Sequence, residues 1–247
     1  MDRLIYTSMT GAKHIFNQQA GVAHNLANAT TGGYRAQDHK FRAVPIESSA
    51  LPTRAFVVDA SVVDDFAQGP LSFTGRPLDV AVQGKGWLAV EGADGQEAYT
   101  RAGSLQVNAN GQLQTRSGLN VVGDGGAIAI PPDSKITIAP DGTISVVPET
   151  GKQSTVNVVG RIKLVNPPEA DLVRGGDGLF RTRDGGAAPL DETLRLATET
   201  TEGSNVNVVE SMVSMISLAR QFEMQIRMLQ NADTNAKSAS QVLSMNG

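Results

Sequence analysis

The sequence contains no cysteine. Disulfides, thiolate zinc sites, iron–sulfur clusters and cysteine nucleophiles are therefore excluded, and the chain suits a place outside the cytoplasm as a single unlocked polypeptide. Aromatic residues are scarce at 4%, with one tryptophan, so a core must rest on Val, Ile, Leu and Ala. Positive charge is in deficit, with a net charge of −4, which argues against a nucleic-acid binder. No apolar run approaches the roughly 18 residues that a membrane span needs. The opening Met-Asp-Arg-Leu-Ile-Tyr-Thr has no cleavable secretory signal, because Lys13, His14, Asn17, Gln18 and Gln19 interrupt any apolar stretch. A chain of this kind that leaves the cytoplasm needs another route. The histidines His14, His24 and His39 are too scattered for a metal-binding helix pair. Gly84-Lys85-Gly86 lacks both the upstream spacing and the following Ser/Thr of a phosphate loop, and no serine sits in a nucleophile elbow. No catalytic, cofactor or metal site is expected.

What is present suits a soluble globular chain, with 40% hydrophobic and 19% charged residues, long enough for one large domain or two small ones. Residues 1–42 carry five Lys+Arg against two Asp+Glu, whereas residues 43–200 carry 13 against 19, which reads as a solvated acidic surface on the middle. Four segments follow from the patterning. Residues 1–34 hold an amphipathic helix over 3–28. Ile5, Met9, Ala12, Phe16, Ala23 and Leu26 recur in steps of four and three, with Gln19 in the one polar place, which is a coiled-coil seam. Gly11 and Gly21 each weaken this helix by about 1 kcal/mol against alanine, so it needs a partner to be stable.

Asn25-Leu26-Ala27-Asn28-Ala29-Thr30-Thr31-Gly32-Gly33-Tyr34-Arg35 then stops the helix. Asn28, Gly32 and Gly33 suit the left-handed conformation, Thr30 and Thr31 resist helix, and Tyr34 restarts an extended segment. Residues 35–68 read as an extended, loop-rich connector with one short strand at 55–58, broken by Pro45, Pro52 and Asp64-Asp65. Residues 69–200 read as β. Turn dipeptides such as Asp94-Gly95, Asp124-Gly125, Asp141-Gly142 and Asp177-Gly178 separate short β-branched runs, the spacing of a sandwich or irregular barrel. Arg101 and Asp79 are expected to pair and pin two strands, with Tyr99 beneath them. In residues 201–247, Asn207 and Glu210 have capping-box spacing and set a helix start at Val208. Met212, Ile216, Ala219, Phe222, Ile226 and Leu229 hold one face of that helix. The class expected is α+β, with two terminal amphipathic helices paired as in a coiled coil around a mainly β middle.

Two motif groups carry a resemblance. Asn25, Leu26, Ala27 and Asn28, followed by Thr31, Gly33, Tyr34 and Arg35, form the first. Arg76-Pro77-Leu78-Asp79, then Tyr99-Thr100-Arg101 and Gly103, form the second. Both resemble the bacterial flagellar rod and hook proteins, along nearly the whole chain and in the same order. The opening residues and the run Ala219–Gln225 look most like the proximal-rod members, with the distal-rod members as runner-up. Val208 departs from the family's usual proline, which touches helix initiation only. The resemblance implies a structural subunit without a cofactor, exported unprocessed by the flagellar type III apparatus into the periplasm. There it polymerises helically through its terminal helices with copies of itself and with other rod proteins, including the distal-rod protein. The rod transmits torque from motor to hook. Two other classes share parts of the pattern. A β-sandwich enzyme needs a carboxylate pair in a cleft, and a secreted adhesin or effector does not need seams on both termini.

Overall fold

The computed structural model of the chain describes residues 2–45, 55–148 and 156–245. Among these residues two helices, α1 (Asp2–Ala27) and α2 (Val208–Met245), flank a succession of short antiparallel strands, so the class is α+β. Two compact units divide the chain.

The first unit holds the described residues of Met1–Ala29, Ala36–Asp65 and Val206–Gly247. Here α1 packs along α2 and also meets a hairpin of β1 (Gln37–Pro45) and β2 (Ala55–Asp64). The segment read as a connector with one strand is thus two long paired strands. Pro45 does not break β1 because it is the terminal residue, where a missing N–H costs least, and Asp64 closes β2. Asn25 ties this hairpin to the helix. Its side chain is buried, and it exchanges two hydrogen bonds with the backbone of Gln37, at 2.8 and 2.9 Å. At Gly21 an added Cβ would lie 2.2 Å from His39 Nε2, so the glycine leaves room for the His39 ring against the helix. The helix stop also differs in detail from the expectation. Asn28 keeps negative φ and returns two bonds to the His24 carbonyl, and in the Gly-Gly pair only Gly33 turns left-handed, at φ 70°. At α2 the Asn207 half of the capping box is present. Its Oδ1 accepts from the N–H groups of Val209 (3.1 Å) and Glu210 (3.2 Å).

The second unit comprises Thr30–Arg35 and the described residues of Phe66–Asn205. Its first strands are β3 (Leu71–Phe73), β4 (Val80–Val82), β5 (Trp87–Glu91) and β6 (Glu97–Thr100). The last two form the centre of a five-stranded sheet in the order Leu164–Val165, β5, β6, Phe180–Thr182, Leu172–Arg174. Strands Leu196–Thr198 and Thr200–Glu202 return from late in the chain to pair with β4 and β3. The larger core cluster is aliphatic, with Val80, Leu88, Leu105, Ile144, Ile162 and Leu196 buried, and a second gathers the few aromatics, Trp87, Tyr99 and Phe180.

The Asp-Gly turns close themselves. Asp94 accepts from the Gln96 N–H, Asp141 from the Thr143 N–H and Asp177 from the Leu179 N–H. These bonds hold the carboxyls of Asp94 and Asp141 below the usual carboxylate range. For Asp177 the Arg181 guanidinium does most of this. Depressed carboxylate pKa values stabilise the fold above the unfolded value of about 3.9, and that contribution is lost as pH falls through the folded values. The melting temperature of this unit is therefore expected to be flat from pH 7 to 5 and to fall below about pH 4. Asp141→Asn should flatten part of that acid limb in a calorimetric pH series. An unchanged limb would remove Asp141 from the cause.

Candidate functional site

The first unit presents apolar side chains that its own packing leaves uncovered. On α1 the buried positions are small, Ser8, Ala12, Gly21 and Asn25, while Met9 is exposed and Phe16 is 61% exposed. Of the seam read from the sequence, Ala12 is buried, Leu26 is half-buried, and Met9, Phe16 and Ala23 face outward; Ile5 lies outside the described side chains. Met9 and Phe16, the large seam residues whose exposure is greatest, are left uncovered by the described packing of this unit. On α2, Ala219, Phe222, Ile226 and Leu229 are half-buried as one face, joined by buried Leu218 and Ala232, while Met212 and Ile216 are exposed. Val209 and Val213 extend that exposed patch at the start of the helix.

The second motif group builds the base of the β-rich unit. Asp79 is nearly buried. It accepts from Thr74 Oγ1 (2.8 Å) and Ser104 Oγ (3.0 Å) and lies 3.3 Å from Arg76 Nη1. Arg76 Nη2 donates to the Leu105 carbonyl. Pro77 is exposed, Leu78 is half-buried against the core, and Thr100 Oγ1 accepts from the Ala102 N–H. The expected pairing of Arg101 with Asp79 does not form. Arg101 bonds Glu202 Oε2 (3.0 Å) and the carbonyls of Val82 (3.1 Å) and Gly84 (2.5 Å) instead. Strand Thr200–Glu202 brings a carboxylate from the far end of the chain, and Asp79 is already saturated. Tyr99 is fully buried. Its hydroxyl donates to Glu97 and accepts from the Ala188 N–H, and burial pushes its pKa up to about 12.

Glu202 gathers a second arginine. Arg35 Nη1 lies 2.6 Å from Glu202 Oε1, both side chains are fully buried, and the Gly69 N–H donates to the same oxygen at 3.0 Å. The two guanidinium carbons stand 5.8 and 5.5 Å from the centroid of the Trp87 ring. Burial draws the Arg101 pKa down, Glu202 opposes this and the Arg35 charge adds to it. Arg35 belongs to the Thr31–Arg35 part of the first motif, in which Thr31 is exposed and its carbonyl accepts from the Tyr34 N–H. Sequence reasoning missed Glu202 entirely. Its one local signal was its place in Glu-Gly-Ser-Asn ahead of the last helix.

A carboxylate pair does line a cavity of about 290 Å³, Glu91 with Glu97. Lys163 Nζ holds both oxygens of Glu97 (2.9 and 2.7 Å), and Asn120 donates to Glu91 at 3.0 Å, so both are engaged as structural acceptors.

Comparison with known proteins gives two family matches. Residues 81–146 match the flagellar hook protein FlgE/F/G D1 domain, and residues 197–242 match the flagellar basal body rod FlgEFG protein C-terminal region. The chain is 49% identical over 252 residues to flagellar basal-body rod protein FlgF of Escherichia coli (strain K12), spanning 99% of this chain and 100% of that one. Identity to FlgF of Salmonella typhimurium (strain LT2) is 46% over 251 residues, again 99% and 100%. Identity to flagellar basal-body rod protein FlgG of Agrobacterium fabrum is 32% over 245 residues, covering 90% and 92%.

Proposed function

This chain belongs to the flagellar rod and hook protein family and is a structural subunit of the flagellar basal-body rod; from that premise we propose how it assembles. Both terminal helices enter the inner tube of the rod and pair there in coiled-coil fashion with each other and with neighbouring subunits. The β-rich unit, read from the sequence as residues 69–200, packs outside. The observation that supports this most is the exposed large apolar side chains of both helices, Met9 and Phe16 on the first and Met212 and Ile216 on the second. Such side chains have a use in a helical polymer, where heterologous contacts repeat without closing.

The subunit acts in the proximal rod, a reading supported by higher identity to the FlgF relatives than to the FlgG relative. Its neighbours are copies of itself and other rod proteins, with the distal-rod protein above. It reaches the periplasm through the flagellar export apparatus, and the rod it builds transmits torque. Its work is mechanical and not catalytic.

Replacing Ile226 by aspartate tests the inward face of the last helix, on which the proposed pairing of the two helices rests. Ile226 is half-buried with Phe222 and Leu229. Its burial contributes about 1.5–3 kcal/mol, and an unpaired carboxylate there adds a desolvation penalty. The Ile226→Asp protein should be soluble, with an unchanged melt of its β-rich unit, yet cells making it should lack hooks and filaments. Normal swimming would remove this face from assembly.

A further inference from the structure

The segment Thr30–Arg35 forms no strand or helix of its own, yet it is fixed to the β-rich unit at every turn. The Gly33 N–H donates to the Glu202 carbonyl at 2.9 Å, and the Tyr34 carbonyl accepts from the Asn205 N–H at 3.3 Å. Arg174 Nη2 donates to the Arg35 carbonyl at 2.6 Å, and the same guanidinium stands 5.0 Å from the centre of the Tyr34 ring. A Cβ at Gly33 would fall 2.3–2.6 Å from the atoms of the Arg101–Ala102 peptide, so the glycine packs directly against it. Every one of these partners follows residue 100 in the chain.

We infer that Thr30–Arg35 is an internal ligand, an extended Thr-Thr-Gly-Gly-Tyr-Arg segment seated in a slot that the β-rich unit forms without it and latched there by Arg35. The slot selects three features of that chemistry. A residue without a Cβ packs against a peptide, an aromatic ring meets a cation, and a cation meets a buried carboxylate. The charge balance shows why the segment is separable. Glu202 and Arg101 already form a neutral, hydrogen-bonded pair, completed by the carbonyls of Val82 and Gly84 and the N–H of Gly69. Arg35 adds a second buried cation, whose Nε, Nη1 and Nη2 make no hydrogen bond among the described residues. It is held by attraction to Glu202 and by the face of Trp87. A neutral pair remains when Arg35 is lost, whereas loss of Glu202 strands two buried cations. Because Glu202 and Asn205 come from the end of the β-rich unit, the seat is complete only once nearly all of that unit has folded, and the segment docks last.

The test is native-state hydrogen exchange on the purified full chain. It needs no rod assembly, so its failure leaves the assembly reading untouched, and the converse holds. In Arg35→Met the amides of Gly33 and Asn205 should exchange at least about tenfold faster, as expected for loss of a buried ion pair. The amides of Ala89 and Leu105, bonded within the β-rich unit to Lys163 and Leu78, should keep their protection. In Glu202→Gln all four amides should exchange faster, and adding Arg35→Met to that variant should restore part of the protection of Ala89 and Leu105. Unchanged exchange at Gly33 and Asn205 in Arg35→Met would overturn the latch. An equal acceleration at Ala89 and Leu105, or failure of that variant to fold, would overturn the slot as a structure formed independently of its ligand.

Discussion

A chain carrying Gly103→Ala should fail to fold its β-rich unit. The added Cβ would sit 1.7 Å from the Val80 carbonyl oxygen and 2.8 Å from its carbon. Neither backbone can withdraw. The Val80 N–H donates to the Gly103 carbonyl at 2.9 Å, and the Leu105 N–H donates to the Leu78 carbonyl at 3.0 Å. Strand Val80–Val82 is fully buried and pairs on its other edge with Leu196–Thr198. Overpacking a core costs typically 1–3 kcal/mol; here the clash is with backbone, so a cost of about 3 kcal/mol or more is expected. A denaturant melt followed by far-ultraviolet dichroism should show no folded baseline for this unit, or a midpoint strongly reduced. Gly125→Ala, where the Cβ meets open space at ordinary φ, should melt as the natural chain does. Matching melts for both variants would contradict the argument.

Gly33→Val should detach the segment after the first helix while leaving the strands intact. Gly33 has φ 70°, and a β-branched residue there costs on the order of 1–2 kcal/mol before any contact is considered. A Cβ would also lie 2.3 Å from the Arg101 carbonyl carbon and 2.5 Å from the Ala102 nitrogen, so the cost exceeds strain alone. The neighbouring Gly32 is the control. Its φ is ordinary and its Cβ would come no closer than 3.4 Å to the Glu202 oxygen, so Gly32→Val should be mild. Cells with Gly33→Val should assemble rods poorly and spread weakly in soft agar, and cells with Gly32→Val should swim. Equal motility would show that the Gly33 geometry is dispensable.

The two helices were legible because their signals are local. Periodicity set the first over 3–28 against an observed Asp2–Ala27, and the Asn207 cap set the second to the residue. The β middle was legible from its Asp-Gly turns, whose carboxylates close on their own backbone. The paired strands Gln37–Pro45 and Ala55–Asp64 were not, because a bulge between Lys40 and Phe41 shifts the register and blurs the period of two. Periodicity on α1 marks a seam but not what covers it: Ala12 is buried and Leu26 half-buried within the unit, whereas Met9, Phe16 and Ala23 are exposed, and the His39 side chain from β1 lies against Gly21. Arg35 and Arg101 each lie in a motif and Glu202 opens Glu-Gly-Ser-Asn, but their grouping was not legible. Nothing in the vicinity of any one of them specifies the other two.

The position of Trp87 has an optical consequence. It is the chain's one tryptophan, and its ring lies 4.7 Å from Phe180 and 5.9 Å from Phe66, with the guanidinium groups of Arg35 and Arg101 both close to it. Indole emission is sensitive to nearby charge and to water, and every tryptophan photon from this protein originates beside Glu202 and its two arginines. Fluorescence from the unlabelled chain is therefore a direct reading of one six-residue seat, obtainable at concentrations far below those at which subunits associate.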